Sequence, residues 1–241
     1  MSNIKAKWIA ADWGTTHMRA WAIGEKDNVL AFRESNEGMK DLQQNEFEPV
    51  LLRLIESWLD DTKVTAVMAC GMVGAKQGWV ETPYLKTPCV PIDNNQLTTA
   101  NTHDKRIIVH LVPGVMQNHP ADIMRGEETQ ISGFINKNKG FKGVVCLPGT
   151  HAKWVNIQEG QISSFKTFMT GELFGVISNH TLIRHSSSIK GWNQESFEEG
   201  IHDGFNNPGL IASNLFSLRA ESIVNNLSLI HISEPTRRTP I

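Results

Sequence analysis

The sequence predicts an α/β protein in which a run of three strands occurs once in each half of the chain. Two observations support this class. The same order of short apolar segments and turns appears twice, and stretches with helical spacing follow both runs. Each run also carries a Gly-Thr pair in its first turn, Gly14-Thr15 and then Gly149-Thr150. The predicted strands of the two runs are 7–11, 18–23, 29–34, 143–147, 154–157 and 161–168.

The first run leads into a helix predicted for residues 46–59. Its apolar residues recur every three or four positions, which places them on one helical face. Asn45 is a suitable N-cap, and Pro49 falls in the first turn, where proline is tolerated. A short β-branched strand at 64–69 follows and ends at the glycine-rich segment 71–74.

Three prolines punctuate the middle of the chain, which predicts loops or edge strands before a buried strand at 106–112. A helix is predicted from Arg125 to Ile135, because Glu127 and Glu128 in a first turn suit the helix dipole. The remaining predicted elements are a helix at 173–183, a surface loop at 186–191 and a helix from Ser196 onward.

Composition excludes several classes of function. The 241 residues carry 23 Lys and Arg against 25 Asp and Glu, so there is no basic field for nucleic acid. No apolar run approaches the roughly 20 residues that a membrane span needs. The apolar residues before Asp12 are too few for the core of a signal peptide. The three cysteines lie far apart without a C-x-x-C motif, which argues against disulfides and predicts a cytoplasmic protein.

The turn Gly14-Thr15-Thr16 is a candidate phosphate site. Small residues leave backbone N–H groups free to face an anion, and the threonine hydroxyls add donors. Asp12, at the end of the preceding strand, is suited to Mg²⁺, which prefers carboxylate oxygen. A Gly-Thr pair in a hairpin is more often only a turn. The position of Asp12 and the second Gly-Thr turn both favour the functional interpretation.

Other nucleotide-binding and hydrolase signatures are missing from the sequence. It contains neither G-x-x-x-x-G-K-[ST] nor a G-x-G-x-x-G after a strand. Protein-kinase motifs and the G-x-S-x-G of α/β-hydrolases are also absent. A nucleotide site, if present, therefore belongs to another class.

Five segments occur in an order that resembles one family. They are Ile9–Trp21, Ala69–Gly74 with Gly78-Trp79, Met124–Gln130, Leu147–Trp154 and Met169–Leu173. The first resembles the first phosphate motif of the sugar kinase/Hsp70/actin superfamily. The series, which spans roughly residues 7 to 220, resembles the 2-dehydro-3-deoxygalactonokinase family. Those bacterial enzymes phosphorylate 2-keto-3-deoxygalactonate with ATP.

The resemblance implies two ribonuclease-H-like domains of the actin-like ATPase type, with a cleft between them. Residues 1–115 would form the first domain, with the first phosphate motif and a sugar-binding loop. Residues 116–226 would form an incomplete second domain with the second phosphate motif. It also implies ATP and Mg²⁺ as cofactors and a small sugar acid as the substrate, which is phosphorylated to its 6-phospho form in galactonate catabolism.

The resemblance also implies roles for individual residues. Asp12 would hold the metal. Related sugar kinases place a general base in a Gly-Asp pair at a helix start, and Gly126-Glu127 stands there in this chain. Glu127 is therefore the predicted base, with Glu128 as the reserve. The residues predicted to contact ATP are Gly14, Thr15, Thr16, Arg19, Gly149, Thr150, His151 and Lys153.

A sugar acid also needs a cation, and an arginine can bind its carboxylate through two hydrogen bonds. Arg125 is the candidate; the alternative is an ion pair with Glu127 or Glu128. Trp79 has a core or lid position as its alternative. The other residues predicted to shape the sugar pocket are Gly71, Met72, Gly74 and Gln77.

The family pattern stops near residue 226. Residues 227–241 are predicted to be a non-native tail, the alternative being an ordinary unstructured C-terminus. On this interpretation the second domain is truncated, which leaves an inactive fragment as one alternative. The others are a kinase for a different sugar acid and a non-catalytic module that only binds a nucleotide or a sugar.

Overall fold

The structure is a computed structural model that describes residues 4–186 and 192–224. The predicted tail at 227–241 lies outside the described residues, as does the predicted loop at 186–191 apart from its first residue. No helix in the described part of the chain is long and apolar enough to cross a membrane.

The chain divides into two compact units. The first unit is Met1–Leu147 with Lys153–Thr167, and the second is Pro148–Ala152 with Phe168–Ile241. These limits differ from the predicted domains 1–115 and 116–226. Those domains remain a prediction about how the family arranges the chain.

The described residues alternate strands and helices, which confirms the predicted α/β class. The strands are β1 (Trp8–Trp13), β2 (Met18–Ile23), β3 (Val29–Ser35), β4 (Thr65–Cys70), β5 (Tyr84–Lys86), β6 (Thr98–Ala100), β7 (Ile107–Leu111), β8 (Gly114–Asn118), β9 (Ala121–Met124), β10 (Gly143–Leu147), β11 (Ala152–Gln158) and β12 (Gln161–Phe168). The α-helices are α1 (Phe47–Ile55), α2 (Glu127–Lys137), α3 (Thr170–His180), α4 (Gln194–Asn206) and α5 (Ile211–Val224).

A six-stranded sheet in the order β3-β2-β1-β4-β7-β6 forms the centre of the first unit. β1, β4 and β7 are parallel, whereas β2, β3 and β6 pair antiparallel to their neighbours. Burial alternates along β1, with Ile9, Ala11 and Trp13 buried in the core. The parallel strands β1 and β4 both end where the predicted functional residues begin.

Helix α1 contributes to the core of this sheet through an apolar face. Phe47 packs edge-on against Trp13 and stacks on Trp79 with ring centroids 6.0 Å apart. The prediction of Asn45 as N-cap was wrong: the cap position is Glu46, and no side chain caps the helix. Burial of the apolar face, rather than a cap, therefore accounts for the helix start.

Two three-stranded sheets complete the first unit, in the orders β5-β8-β9 and β10-β11-β12. Main-chain hydrogen bonds in both directions join Cys89, which follows β5, to Ile162 on β12. A second hydrophobic core gathers Ile131 of α2 with residues of both sheets. Helix α2 is thus packed against these sheets through Ile131, and its N-terminus lies beside Gly71, which follows β4.

The second unit is mostly helical in its described part. Helix α3 begins at Thr170, three residues before the predicted start, and a 3-10 turn, Leu182–His185, follows it. The side chain of Asn193 caps α4 by accepting a hydrogen bond from the Ser196 amide at 2.9 Å. This cap explains why α4 begins at Gln194, ahead of the predicted Ser196.

Candidate active site

Asp12 lies near the carboxyl end of β1, beside the end of the parallel strand β4. In register it faces Cys70 on β4 and Arg19 on β2. Gly71 follows β4 with φ +94°, and a Cβ there would lie 2.8 Å from the carbonyl oxygen of Trp13. Only glycine fits this approach, so Gly71 brings the chain against the end of β1.

The N-terminus of α2 reaches the same place. Gly126, its N-cap, has φ +108°, and a Cβ on it would lie 3.4 Å from the Cα of Gly71. Two glycines in the left-handed region therefore meet backbone to backbone. Their contact places Glu127 and Glu128 at the strand ends that carry Asp12.

Glu128 is completely buried at the start of α2. One carboxyl oxygen accepts a hydrogen bond from the Gly126 amide at 2.6 Å, and the other from the Thr129 hydroxyl at 3.2 Å. Burial raises the pKa of Glu128 to about 8, and the neighbouring charge of Glu127 adds to the rise. At neutral pH this group therefore holds a proton.

Glu127 is more accessible, with a quarter of its side chain exposed. Its Oε2 accepts a hydrogen bond from the Arg125 amide at 3.1 Å. Its Oε1 lies 3.9 Å from the ammonium nitrogen of Lys153. The two adjacent glutamates thus have different surroundings: one is sealed in the protein, and the other meets solvent beside a cation.

Asp12 is a possible anchor for Mg²⁺. Burial raises the pKa of its carboxyl, and the guanidinium of Arg19, 3.8 Å away, opposes that rise. The described residues contain no cluster of three or more His, Cys, Asp or Glu suited to a metal ion. A single half-exposed carboxylate suits Mg²⁺ that takes its other ligands from water and substrate phosphates.

The turn at 14–16, which is predicted to bind phosphate, is supported on one side by main-chain hydrogen bonds from residues 39–40. Gly14 closes it by donating to the carbonyl of His17 at 2.9 Å, and its own carbonyl accepts from Met39. The carbonyl of Thr15 accepts from the Lys40 amide at 3.1 Å. A Cβ on Gly38 would lie 2.3 Å from that oxygen, so the supporting segment presses directly on the turn.

The other side of this turn is open to solvent. Thr15 and Thr16 are exposed, and within the described residues no backbone carbonyl accepts a hydrogen bond from their amides. The Thr16 hydroxyl bonds the ring of His17 at 2.7 Å. A supported turn with exposed residues, whose amides have no main-chain acceptor among the described residues, is a candidate anion site.

The second Gly-Thr turn, in the second unit, lies against the start of α3. The carbonyl of Gly149 accepts from the Gly171 amide at 3.3 Å, and that of Thr150 from the Glu172 amide at 3.1 Å. His151 pairs with the Glu172 carboxylate at 2.5 Å. The three residues predicted here from the Gly-Thr-His motif therefore lie together, and all three are exposed.

Lys153 lies in the first unit, with only 6% of its side chain exposed. Its ammonium group donates to the Thr167 hydroxyl at 3.0 Å and to the carbonyl of Ile123 at 3.2 Å. Its predicted contact with phosphate remains a prediction, since the contacts in the structure join it to Glu127.

The glycine-rich segment after β4 forms a 3-10 turn, Met72–Gly74. Gly74 is buried, and a Cβ there would lie 3.0 Å from a guanidinium nitrogen of Arg125. Gln77 is exposed, whereas Trp79 is buried in the aromatic core, the alternative considered from the sequence. The structure thus brings Gly71, Met72 and Gly74 to one segment and places Trp79 behind it.

Arg125 is held by residues that the sequence did not single out. Its guanidinium lies 4.3 Å over the ring of Tyr84 and donates to both the hydroxyl and the carbonyl of Thr82. Its Nε is buried and has no hydrogen-bond partner among the residues that the structure describes. Thr82 and Tyr84 flank Pro83 in a stretch predicted as loops or edge strands, without any motif. Gly38 carries no motif either, so sequence patterns gave no signal for these three residues.

Comparison with protein families gives one match over most of the chain. The model of the 2-keto-3-deoxy-galactonokinase family matches residues 12–233. The match therefore covers all five predicted motifs except the first few residues of the first, and it ends inside the stretch 227–241.

Curated proteins and solved structures give the same kind of relative. A probable 2-dehydro-3-deoxygalactonokinase of Rhizobium meliloti is 37% identical over 90% of this chain and 72% of its own length. The 2-dehydro-3-deoxygalactonokinase of Escherichia coli is 34% identical over 95% of this chain and 76% of its own length. A crystal structure described as a putative 2-dehydro-3-deoxygalactonokinase from Sinorhizobium meliloti superimposes with a TM-score of 0.82. It is 35% identical, and the match covers 91% of this chain and 73% of that one.

Proposed function

The chain belongs to the 2-keto-3-deoxy-galactonokinase family, and on that premise we propose that it transfers a phosphoryl group from ATP to 2-keto-3-deoxygalactonate. The product is the 6-phospho form, made in the breakdown of galactonate in the cytoplasm. The family membership confirms the predicted kinase class. The substrate and the roles of individual residues are the proposal.

One observation carries the proposal: the ends of β1 and β4 and the start of α2 converge at the contact between Gly71 and Gly126. That contact gathers Asp12 with Glu127 and Glu128. Phosphoryl transfer to a hydroxyl needs a metal anchor and an acceptor for the hydroxyl proton, both placed beside the phosphates. This arrangement offers Asp12 as the metal anchor and a glutamate as the proton acceptor. It lies at the carboxyl ends of parallel strands, where α/β proteins bind ligands.

Asp12 is the proposed anchor for Mg²⁺, and the turn at 14–16 receives the phosphates of ATP. Bound Mg²⁺ would neutralise negative charge on the β- and γ-phosphates. The outward amides of Thr15 and Thr16 and their hydroxyls add hydrogen-bond donors. Gly149 and Thr150 are proposed to contact the nucleotide as the second phosphate motif, the role that their resemblance to the family implies.

Glu127 is the proposed general base. A base must be ionised when the hydroxyl reaches it, and Glu128 holds its proton at neutral pH because burial raises its pKa to about 8. Glu127 is partly exposed and bears its carboxylate beside an ammonium group. The difference in burial therefore supports Glu127 rather than Glu128 as the base.

Arg125 is the proposed partner of the substrate carboxylate. Stacking on Tyr84 and two hydrogen bonds to Thr82 hold its guanidinium in one orientation. A buried Nε–H without a partner is costly, and a carboxylate is the acceptor that fits a guanidinium. Orientation before binding reduces the entropy lost when the sugar acid arrives.

The test is a coupled assay of ADP release with the purified chain. The substrates are 2-keto-3-deoxygalactonate, its gluconate-derived epimer and galactonate, each with ATP and Mg²⁺. We expect turnover with the first acid and a much lower kcat/KM with the other two. Turnover that is fastest with another sugar acid would replace the substrate. A lack of ADP release with all three, in a chain that unfolds cooperatively, would refute kinase activity.

A further inference from the structure

Lys153 is a buried cation whose contacts lead to the proposed base. Only 6% of its side chain is exposed, and burying an ammonium group is unfavourable unless a nearby anion compensates. The carboxylate of Glu127, 3.9 Å away, is the anion that its ion pair provides. The pairing explains why a lysine is tolerated inside this unit.

Three elements fix the lysine before it meets the carboxylate. It extends from β11 and donates to the carbonyl of Ile123 on β9 and to the hydroxyl of Thr167 on β12. Thr167 is itself held, because its hydroxyl and its amide both donate to the carboxylate of Asp122 at 2.7 Å. These hydrogen bonds therefore hold the Lys153 ammonium group in one position.

Glu127 is thus held at both oxygens. The Arg125 amide donates to Oε2, and the Lys153 ammonium lies beside Oε1. A proton acceptor has to lie within hydrogen-bond reach of the substrate hydroxyl, and a displacement of about 1 Å can cost about a hundredfold in rate. The orientation of this carboxylate is therefore a property on which turnover depends.

We propose that Lys153 is a positioning residue, which acts on phosphoryl transfer by fixing the carboxylate of Glu127. This inference rests on the proposed function, in which Glu127 is the base. It replaces the predicted phosphate contact of Lys153 with a role behind the base. The sequence does not indicate this role, because Lys153 stands two residues after the Gly-Thr-His turn and is therefore grouped with the phosphate motif.

The test is a double-mutant cycle of Lys153→Met and Glu127→Gln on the full chain. Methionine keeps the length of the side chain and removes the charge. We expect Lys153→Met to lower kcat by about 30- to 100-fold, with KM for both substrates changed less than about threefold. In the Glu127→Gln background the same substitution should lower kcat no further. Lys142→Met, an exposed lysine before β10, is the control and should leave kcat unchanged.

Equal losses in both backgrounds, or a loss confined to KM for ATP, would overturn the inference and restore the phosphate contact. If Lys153→Met does not fold, Thr167→Val removes the hydroxyl that holds the ammonium group. It should lower kcat by about 3- to 10-fold in wild type and not in Glu127→Gln. An undiminished kcat in Thr167→Val would then count against the proposal.

The same cycle measured by urea unfolding separates this inference from the proposed function. The pair should show coupling of about tenfold or more in the unfolding constant, since Glu127→Gln leaves the buried ammonium of Lys153 without the counter-charge that compensates it. Coupling in unfolding with an inactive wild type means that the proposed function is wrong. An active wild type without coupling means that the positioning role is wrong.

Discussion

The buried carboxyl of Glu128 should make the stability of this protein depend on pH, and replacing it with glutamine should remove that dependence. Glutamine has nearly the same shape, and its amide oxygen can still accept the hydrogen bond from the Gly126 amide. It does not titrate. The Glu128→Gln variant therefore isolates the proton that this one group holds.

The size of this pH dependence follows from the linkage between proton binding at Glu128 and folding. The pKa of this carboxyl is about 8 in the folded protein, against 4.5 as its ordinary value. Between these values the folded state holds a proton that the unfolded state has lost, so the free energy of unfolding falls as pH rises. The slope is about 1.4 kcal/mol per pH unit, or about 4 kcal/mol between pH 5 and pH 8. The contribution is complete below pH 4.5 and is lost once pH passes about 8.

The assay is urea denaturation at pH 5, 6, 7 and 8, for wild type and Glu128→Gln. The stability of the variant relative to wild type should improve by about 4 kcal/mol from pH 5 to pH 8, because other groups cancel in the difference. The control is Glu81→Gln, at an exposed position. Its free energy of unfolding should change with pH in the same way as that of wild type. A flat difference between Glu128→Gln and wild type would show that the folded protein keeps this carboxyl ionised. It would also remove the reason for preferring Glu127 as the base.

Three further predictions test the site itself. Glu127→Gln should lower kcat by about 10²- to 10⁴-fold with little change in KM, measured by steady-state kinetics; a loss below tenfold would argue against a general base. Asp12→Asn should raise the Mg²⁺ concentration needed for half-maximal turnover by about tenfold or more, measured by metal titration, because a hard cation loses its carboxylate. Gly38→Ala should lower the thermal midpoint, since the new methyl would meet the Thr15 carbonyl. Gly133→Ala, with open space around it in α2, should raise the midpoint slightly.

Local patterns were sufficient where a segment's burial follows from its own residues. Strand β2 matches its predicted range, 18–23, because it is a short, mostly apolar run bounded by turns on both sides. The hairpin of β8 and β9 was missed. It lies between a Pro-Gly pair and the glycine that precedes α2, in a stretch whose pattern shows no alternation. Its strands are stabilised by partners distant in sequence, such as β5 and β12, which no local pattern reveals.

The same limit applies to the candidate site. The Gly-Thr turn and Asp12 could be proposed as site residues because strand, carboxylate and turn are consecutive in sequence. The difference between Glu127 and Glu128 could not, since adjacent residues of one type differ only in what surrounds them after folding. The contact of Lys153 with Glu127 could not be predicted for a related reason: Lys153 follows the Gly-Thr-His turn in sequence but lies beside Glu127 in space.

The contact between Gly71 and Gly126 limits how this enzyme can be re-engineered. A Cβ on Gly71 would lie 2.8 Å from the Trp13 carbonyl oxygen at the end of β1, and a side chain on Gly126 would strain a backbone with φ +108°. Both positions therefore favour glycine, and the approach of the α2 start to the end of β4 cannot be redesigned through these two residues. A variant for a longer or shorter sugar acid is better sought at an exposed side chain of the neighbouring segment, such as Gln77.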